Sequence, residues 1–268
     1  MAVDAETKKA YNNQIADQKK SISEIDKDLA AYKRAMAQNK KLKPFFHIGM
    51  TSRLIDQANL YMDMNDLSEQ MMSMKNSGYL DNSKKLLGRI FTELEAVVTG
   101  EDDEPLEFNR ERLNAIKPFN PRQRLNLYKH ITKLIRRLID SYGPNTKWKW
   151  SFPDYWGKAA VILKNFTDYR EIQAVRDPRE EFYYDRQELL TTVKDALMNA
   201  SNEFRDKFEL STKQNSDLLR AIRLLEVLRR ICSLTGDDEL MKKSKAGIEA
   251  YRARIESEED KDNKKKKK

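Results

Sequence analysis

Two histidines, His47 and His130, and one cysteine, Cys232, are all the imidazole and thiol chemistry this chain carries. A zinc site of the usual kind draws four ligands from such residues, which three cannot supply. A carboxylate-bridged di-iron bundle needs Glu-x-x-His, but the residues three before the histidines are Pro44 and Leu127. The eight glycines stand apart from one another, so there is neither a Gly-x-Gly-x-x-Gly turn nor a phosphate-cradling loop. One carboxylate group remains. Glu181, Asp185 and Glu188 fall at i, i+4, i+7 and on one helix face would suit magnesium or acid–base work. Arg179 and Arg186 are interleaved with them, which predicts a salt-bridged, solvated face instead.

The lone residues have plainer readings. His47, between Phe46 and Ile48, is expected to be a structural histidine in a turn, and His130 to extend a cationic helix. Cys232 lies in the apolar run from Leu224 to Leu234 and reads as a small core residue in a reducing compartment. No catalytic residue, cofactor or metal is expected, and the chain is expected not to be an enzyme.

The elements that would position any site are helices. Of 268 residues, 35% are charged and 39% hydrophobic, while glycine (8) and proline (7) are scarce. So few turn-formers disfavour sandwiches, barrels and Gly-looped α/β folds, leaving an all-α protein of about eight helices. Tyr11, Ile15, Gln18, Ile22, Ile25, Leu29, Tyr32 and Met36 recur at 4-3-4-3 spacing, a heptad seam on a helix over 5–40 ended by Pro44. Ile15, Ile22, Ile25, Leu29, Tyr32 and Met36 are therefore candidate partner-binding positions, for a second chain or for the other arm of a hairpin. Thr51 or Ser52 is expected to cap a second helix with a Met-rich stripe, and Asp81 or Asn82 a third, completing an N-terminal unit over 1–100. An acidic, proline-ended linker over 101–119 follows. A C-terminal bundle is expected over 120–257, opened by Asn120-Pro121 and containing a long helix opened by Asp177-Pro178. Its closing pair turns at Gly236-Asp237 and runs antiparallel, and 258–268 reads as a disordered, lysine-rich tail.

Charge is unevenly spread. Residues 110–149 hold eleven Lys/Arg against Glu111 and Asp140, and five lysines form the C-terminal end; the remainder is net acidic. On the helix after Pro121, Arg122, Lys129, Lys133, Arg136 and Arg137 gather on one side, opposite an apolar face. Trp148 and Trp150 follow, interleaved with Lys147 and Lys149, as a docking anchor or a plug between units. Two readings result. The first is a non-catalytic helical scaffold or adaptor that acts by protein–protein contact or self-association through the heptad seam and the basic, Trp-rich surface. The alternative is nucleic-acid or other polyanion binding through 110–149 and the lysine tail. No recognised nucleic-acid module is present. Peripheral attachment to an anionic membrane ranks below both, because the stripe-bearing helix must spend its apolar face on the core. No apolar stretch is long enough to span a bilayer and Met1–Glu6 resembles no leader, so a cytoplasmic location is expected.

Overall fold

The computed structural model describes residues 4–105 and 109–266, with side chains through 260, and among these residues it contains ten α-helices and no strand. The chain divides into two compact units: Met1–Thr99, Asn114–Pro118 and Asn126–Lys149 form the first, and Gly100–Leu113, Phe119–Leu125 and Trp150–Lys268 the second. The all-α expectation holds. No helix among the described residues is long and apolar enough to cross a membrane.

In unit 1, α1 (Ala5–Gln38) begins at Asp4, whose carboxylate accepts from Thr7 N at 2.7 Å. A 3₁₀ turn over Lys40–Leu42 then leads into α2 (Lys43–Met72). The two helices form an antiparallel hairpin. Tyr32 meets Phe46, Arg53 meets Asp28 and Gln57 meets Asp26, while Ile15 and Ile22 pack with Leu60, Met64 and Leu67. The heptad seam is therefore satisfied inside the chain. Ile15, Ile22, Ile25 and Leu29 are buried, and Tyr32 and Met36 half-buried. This corrects their assignment as positions open to another chain: a narrow a/d stripe needs one partner helix, and α2 is that helix. Gly49 lets the arms close, since a Cβ there would sit 3.2 Å from the Tyr32 ring.

Pro44 lies in the first turn of α2 and does not end α1, which stops at Gln38; an N-terminal turn needs no amide hydrogen at that position. The helix thus starts eight residues before Thr51, which is buried mid-helix and donates to the His47 carbonyl at 2.9 Å. His47 accordingly lies in a helix, not a turn. The third helix, α3 (Ser77–Val98), is capped by Asn76 and not by Asp81, which instead accepts from Tyr142 Oη at 2.7 Å. Met62 and Met64 are core residues, whereas Met74 is exposed.

The expected linker over 101–119 carries structure. It contains α4 (Arg110–Ala115), and its acidic start is pinned within unit 2. Lys164, only 2% exposed, donates from Nζ to the carbonyls of Asp102 (3.2 Å) and Glu104 (2.8 Å), and Asn165 donates to the Glu101 carbonyl at 3.2 Å. Next comes α5 (Pro121–Tyr142), started by a reciprocal cap in which Gln123 N donates to Asn120 Oδ1 and Asn120 N to Gln123 Oε1. Its first turn belongs to unit 2 and the rest to unit 1, where Arg137 reaches Asp63 and Asp66 of α2 and Tyr142 reaches Asp81. The expected assignment of all of 120–257 to one bundle fails for that reason.

Unit 2 continues with α6 (Phe152–Phe166) and α7 (Tyr169–Ala174). The two are separate helices because Asp168 caps a new start, accepting from Arg170 N and Glu171 N at 3.1 Å. Asp177-Pro178 does not open a helix. Asp177 accepts from Arg179 N in a turn, Phe182 takes φ +60°, and α8 (Tyr183–Lys207) starts after it. A π-helical turn over Phe208–Thr212 leads to α9 (Asn215–Thr235). Gly236, at φ +70°, and Asp237, accepting from Leu240 N, close α9 and start α10 (Asp238–Lys266) as expected. The pair is antiparallel, with Leu225 against Gly247, Glu226 bonded to Arg252 and Asn215 to Glu259. Of the expected charged tail, side chains from 261 onward and all of residues 267–268 lie outside the described residues.

Leu29→Ala should destabilise unit 1 by about 2–5 kcal/mol, the usual cost of emptying a buried leucine site. A seam satisfied within the chain requires denaturant unfolding to shift while sedimentation stays unchanged; a change in sedimentation at constant stability would place the seam between chains. In unit 2, burial first and the charge of Arg230 second hold the Lys164 ammonium down at about 8. The unfolded lysine keeps its proton to about pH 10.4, so between these values the unfolded state binds more protons and stability rises with pH. Relative to Lys164→Met, the wild-type chain should therefore gain unfolding free energy from pH 8 to 10. The variant's 101–104 segment should also be cut faster by a glutamate-specific protease at neutral pH.

Candidate functional site

Most cations of the stripe expected on α5 are engaged, two of them in ion pairs. Arg122 is bidentate on Asp185, with Nε at 2.9 Å and Nη2 at 3.1 Å. Arg137 donates to Asp63 at 2.6 Å, Asp66 at 2.5 Å and Asn59 at 3.4 Å. Arg124, buried, holds the carbonyls of Phe119 (2.7 Å) and Phe166 (3.0 Å), so it too serves structure. Lys129 and Arg136 also have partners, which leaves Lys133 as the exposed cation of the five without one among the described residues. A polyanion would have to displace carboxylates already in place. The stripe is corrected accordingly, from a free phosphate-tracking surface to a set of mostly engaged cations.

The aromatic half of that expected surface is occupied as well. Lys84 Nζ lies 3.7 Å and Lys147 Nζ 4.9 Å from the centre of a Trp148 ring, and Tyr142 packs at 6.4 Å. Burial lowers the Lys84 pKa from its ordinary value. Trp148 and Trp150 are half-buried, and a base stacking on Trp148 would compete with the lysines already against it.

The carboxylates do not assemble. Glu181 precedes α8, so it shares no helix face with Asp185 and Glu188, and Asp185 is held by Arg122. Among the described residues, no group of three or more His, Cys, Asp or Glu side chains is placed to hold a metal ion. His47 Nδ1 is 2.6 Å from Glu93 Oε2, with its Nε2 buried. His130 is exposed. Cys232 is fully buried, and burial pushes its thiol up to about 11, the opposite of what a reactive thiolate requires.

Another surface, within unit 2, gathers unsatisfied charge. Helix α9 is buried over about half of its circumference by Leu218, Leu225, Leu228 and Ile231 among others. One strip stays out. At 100° per residue, Leu219, Arg223, Arg230 and Leu234 fall within about 60° of arc, with Arg220 and Arg229 at its margins. Two clefts flank this strip. One, of about 430 Å³, lies against α6 and is lined by Asp154, Lys158, Arg220 and Arg223 over a floor of Val161, Phe204 and Leu224. The other, of about 370 Å³, lies against α10 between Arg229, Arg230, Ser233, Met241, Lys242 and Lys245.

The balance of charge differs between the two clefts. Asp154 is spent on Lys207 at 3.1 Å and on Arg220. Arg223, Arg229, Arg230 and Lys242 are exposed and make no ion pair or hydrogen bond among the described residues. Among the acids, Asp102 lines the α6-side cleft together with Arg223. Glu249 is 3.9 Å from Lys245, Glu226 is bonded to Arg252, Asp237 to Lys194, and Asp238 and Glu239 stand exposed in the first turn of α10. Arg230 also helps to lower the pKa of Lys164, so its positive potential extends into the unit. Helical spacing marks Arg220, Arg223 and Arg230 as a narrow polar strip on an otherwise apolar helix, and a second signal is also legible. Arg229-Arg230 and Lys242 stand about equally far from Gly236, and an antiparallel hairpin turning there must bring them face to face.

A family model described as the TP0443 family matches residues 7–259. No curated protein matches the chain. One solved structure, titled "Computational Design of Self-Assembling Cyclic Protein Homooligomers", aligns over 94% of this chain and 95% of its own at 11% identity. Its TM-score of 0.26 is too low to carry structural information.

Because Arg137 is structural, Arg137→Glu should lower the thermal unfolding temperature of unit 1 by setting a third carboxylate against Asp63 and Asp66. Losing a charge-assisted pair costs about 1.5–3 kcal/mol, more when like charges replace it. Lys133→Glu should leave the melting temperature within a degree or so, as surface changes usually do.

Proposed function

The chain belongs to the TP0443 family, and we propose that it is a non-catalytic helical adaptor that docks an anionic partner on the α9 face of unit 2. One observation supports this reading above others: four cations, Arg223, Arg229, Arg230 and Lys242, stand together unpaired in a protein that pairs most of its arginines. Holding like charges close without counter-charges costs stability through repulsion. A partner that supplies carboxylates or phosphates removes that cost. The rigid element beneath the charges suits docking, since α9 is clasped by α8 and α10 and presents its side chains from a fixed helix instead of a loop.

Fluorescence anisotropy of labelled polyglutamate provides the test. Binding should weaken steeply as salt rises, because each neutralised charge is screened beyond about 10 Å at 0.1 M. The double change Arg229→Glu with Arg230→Glu should reduce affinity by about tenfold or more, given about 1.4 kcal/mol per decade. Lys133→Glu on α5 should leave binding unchanged. Loss of binding in the α5 variant with retention in the α9 variant would return the function to residues 110–149.

A further inference from the structure

Resting on the docking reading above, we infer that the occupant of the α9 face is an acidic, amphipathic segment of another protein, with apolar side chains that cover Leu219 and Leu234 while its carboxylates meet Arg223 and Arg230. Three features of this face distinguish such a segment from other polyanions. First, the strip is bracketed by leucines. Leu219 is 47% and Leu234 40% exposed, and both share the narrow arc that holds the two arginines. Arg223 and Arg230 are two turns apart, about 10 Å along the axis, and the leucines are about 22 Å apart. A phosphate backbone would neutralise the arginines and leave both leucines in water, losing the apolar share of the contact.

Second, both clefts combine cations with apolar lining. Val161, Phe204 and Leu224 floor the α6-side cleft, and Met241 lines the other. Volumes of about 430 and 370 Å³ accept protruding side chains, as an interface pocket accepts an anchor residue. A bilayer surface is too flat to fill them. Third, Glu226 lies on the same strip between Arg223 and Arg230, half-buried and bonded to Arg252 at 2.7 Å. A uniform anionic sheet, whether of lipid headgroups or of phosphates, would meet that carboxylate with repulsion. A protein segment can place a neutral or basic residue opposite it.

The test uses the full chain and four probes: a labelled amphipathic peptide of about 18 residues, five helical turns, with glutamates and leucines on one face; the same peptide with alanine for leucine; oligo(dT); and phosphatidylglycerol vesicles. At physiological salt the leucine peptide should bind at least about tenfold more tightly than its alanine counterpart. Leu219→Ser with Leu234→Ser, two exposed positions whose change should leave folding intact, should erase that difference without affecting the alanine peptide. Arg223→Glu with Arg230→Glu should abolish binding of both. Equal binding of the two peptides, or no response to the leucine changes, would overturn the acidic-segment inference while docking of anions stood. Tighter binding of oligo(dT) or of vesicles, lost on reversal of Arg223 and Arg230, would do the same. Failure of every probe at low salt would remove the docking reading itself.

Discussion

Burial of α9 over about half of its circumference is the constraint on which unit 2 depends. The helix gives Leu218, Leu225, Leu228, Ile231 and Cys232 to the core. Each such leucine or isoleucine contributes about 1.5–3 kcal/mol when taken from water. With so much of its circumference committed, α9 cannot rotate or slide without exposing core residues. The strip of Leu219, Arg223, Arg230 and Leu234 is consequently fixed in direction. The helices that grip α9 do so through apolar contacts, and two of the acids beside the strip serve other cations: Asp154 holds Lys207 and Arg220, and Glu226 holds Arg252. A stable core thus keeps the unpaired charges where they are.

Unit 1 shows the opposite arrangement. There Arg137 of α5 meets Asp63 and Asp66 of α2, and the seam of α1 meets α2. Bidentate or forked arginine contacts of this kind fix register as well as add energy. Surfaces that look available when a helix is drawn alone are used up once its neighbour is in place. Lys164 makes the same point inside unit 2: a lysine taken almost wholly from water is kept because its amine closes the acidic segment through the carbonyls of Asp102 and Glu104.

Helical periodicity made the fold class legible, together with the strongest punctuation: the Asn120-Pro121 start, the Gly236-Asp237 turn and the antiparallel closing pair. Periodicity reports which face of a helix is apolar but not which element covers it. The α1 seam was therefore readable as a seam, with its partner left open between α2 and another chain. Proline alone predicts a stop at Pro44 and a start at Pro178, and the structure does otherwise at both. Pro44 lies in the first turn of α2, and the Asp177 turn with Phe182 at positive φ delays α8 until Tyr183. That delay dissolves the Glu181, Asp185 and Glu188 face, which required all three on one helix. Helical spacing marks Arg220, Arg223 and Arg230 as a polar strip, but local charge density points to 110–149, and ion pairing, which no single stretch of sequence displays, decides which cations remain free.

Hydrogen exchange along the full chain, with and without saturating polyglutamate, tests the central claim most directly. Docking on α9 predicts added amide protection confined to α9 and the first turns of α10, the stretch carrying Arg223, Arg229, Arg230, Lys242 and Lys245, with α5 unchanged. Protection centred on residues 126–142, or none anywhere despite measurable binding, would contradict it.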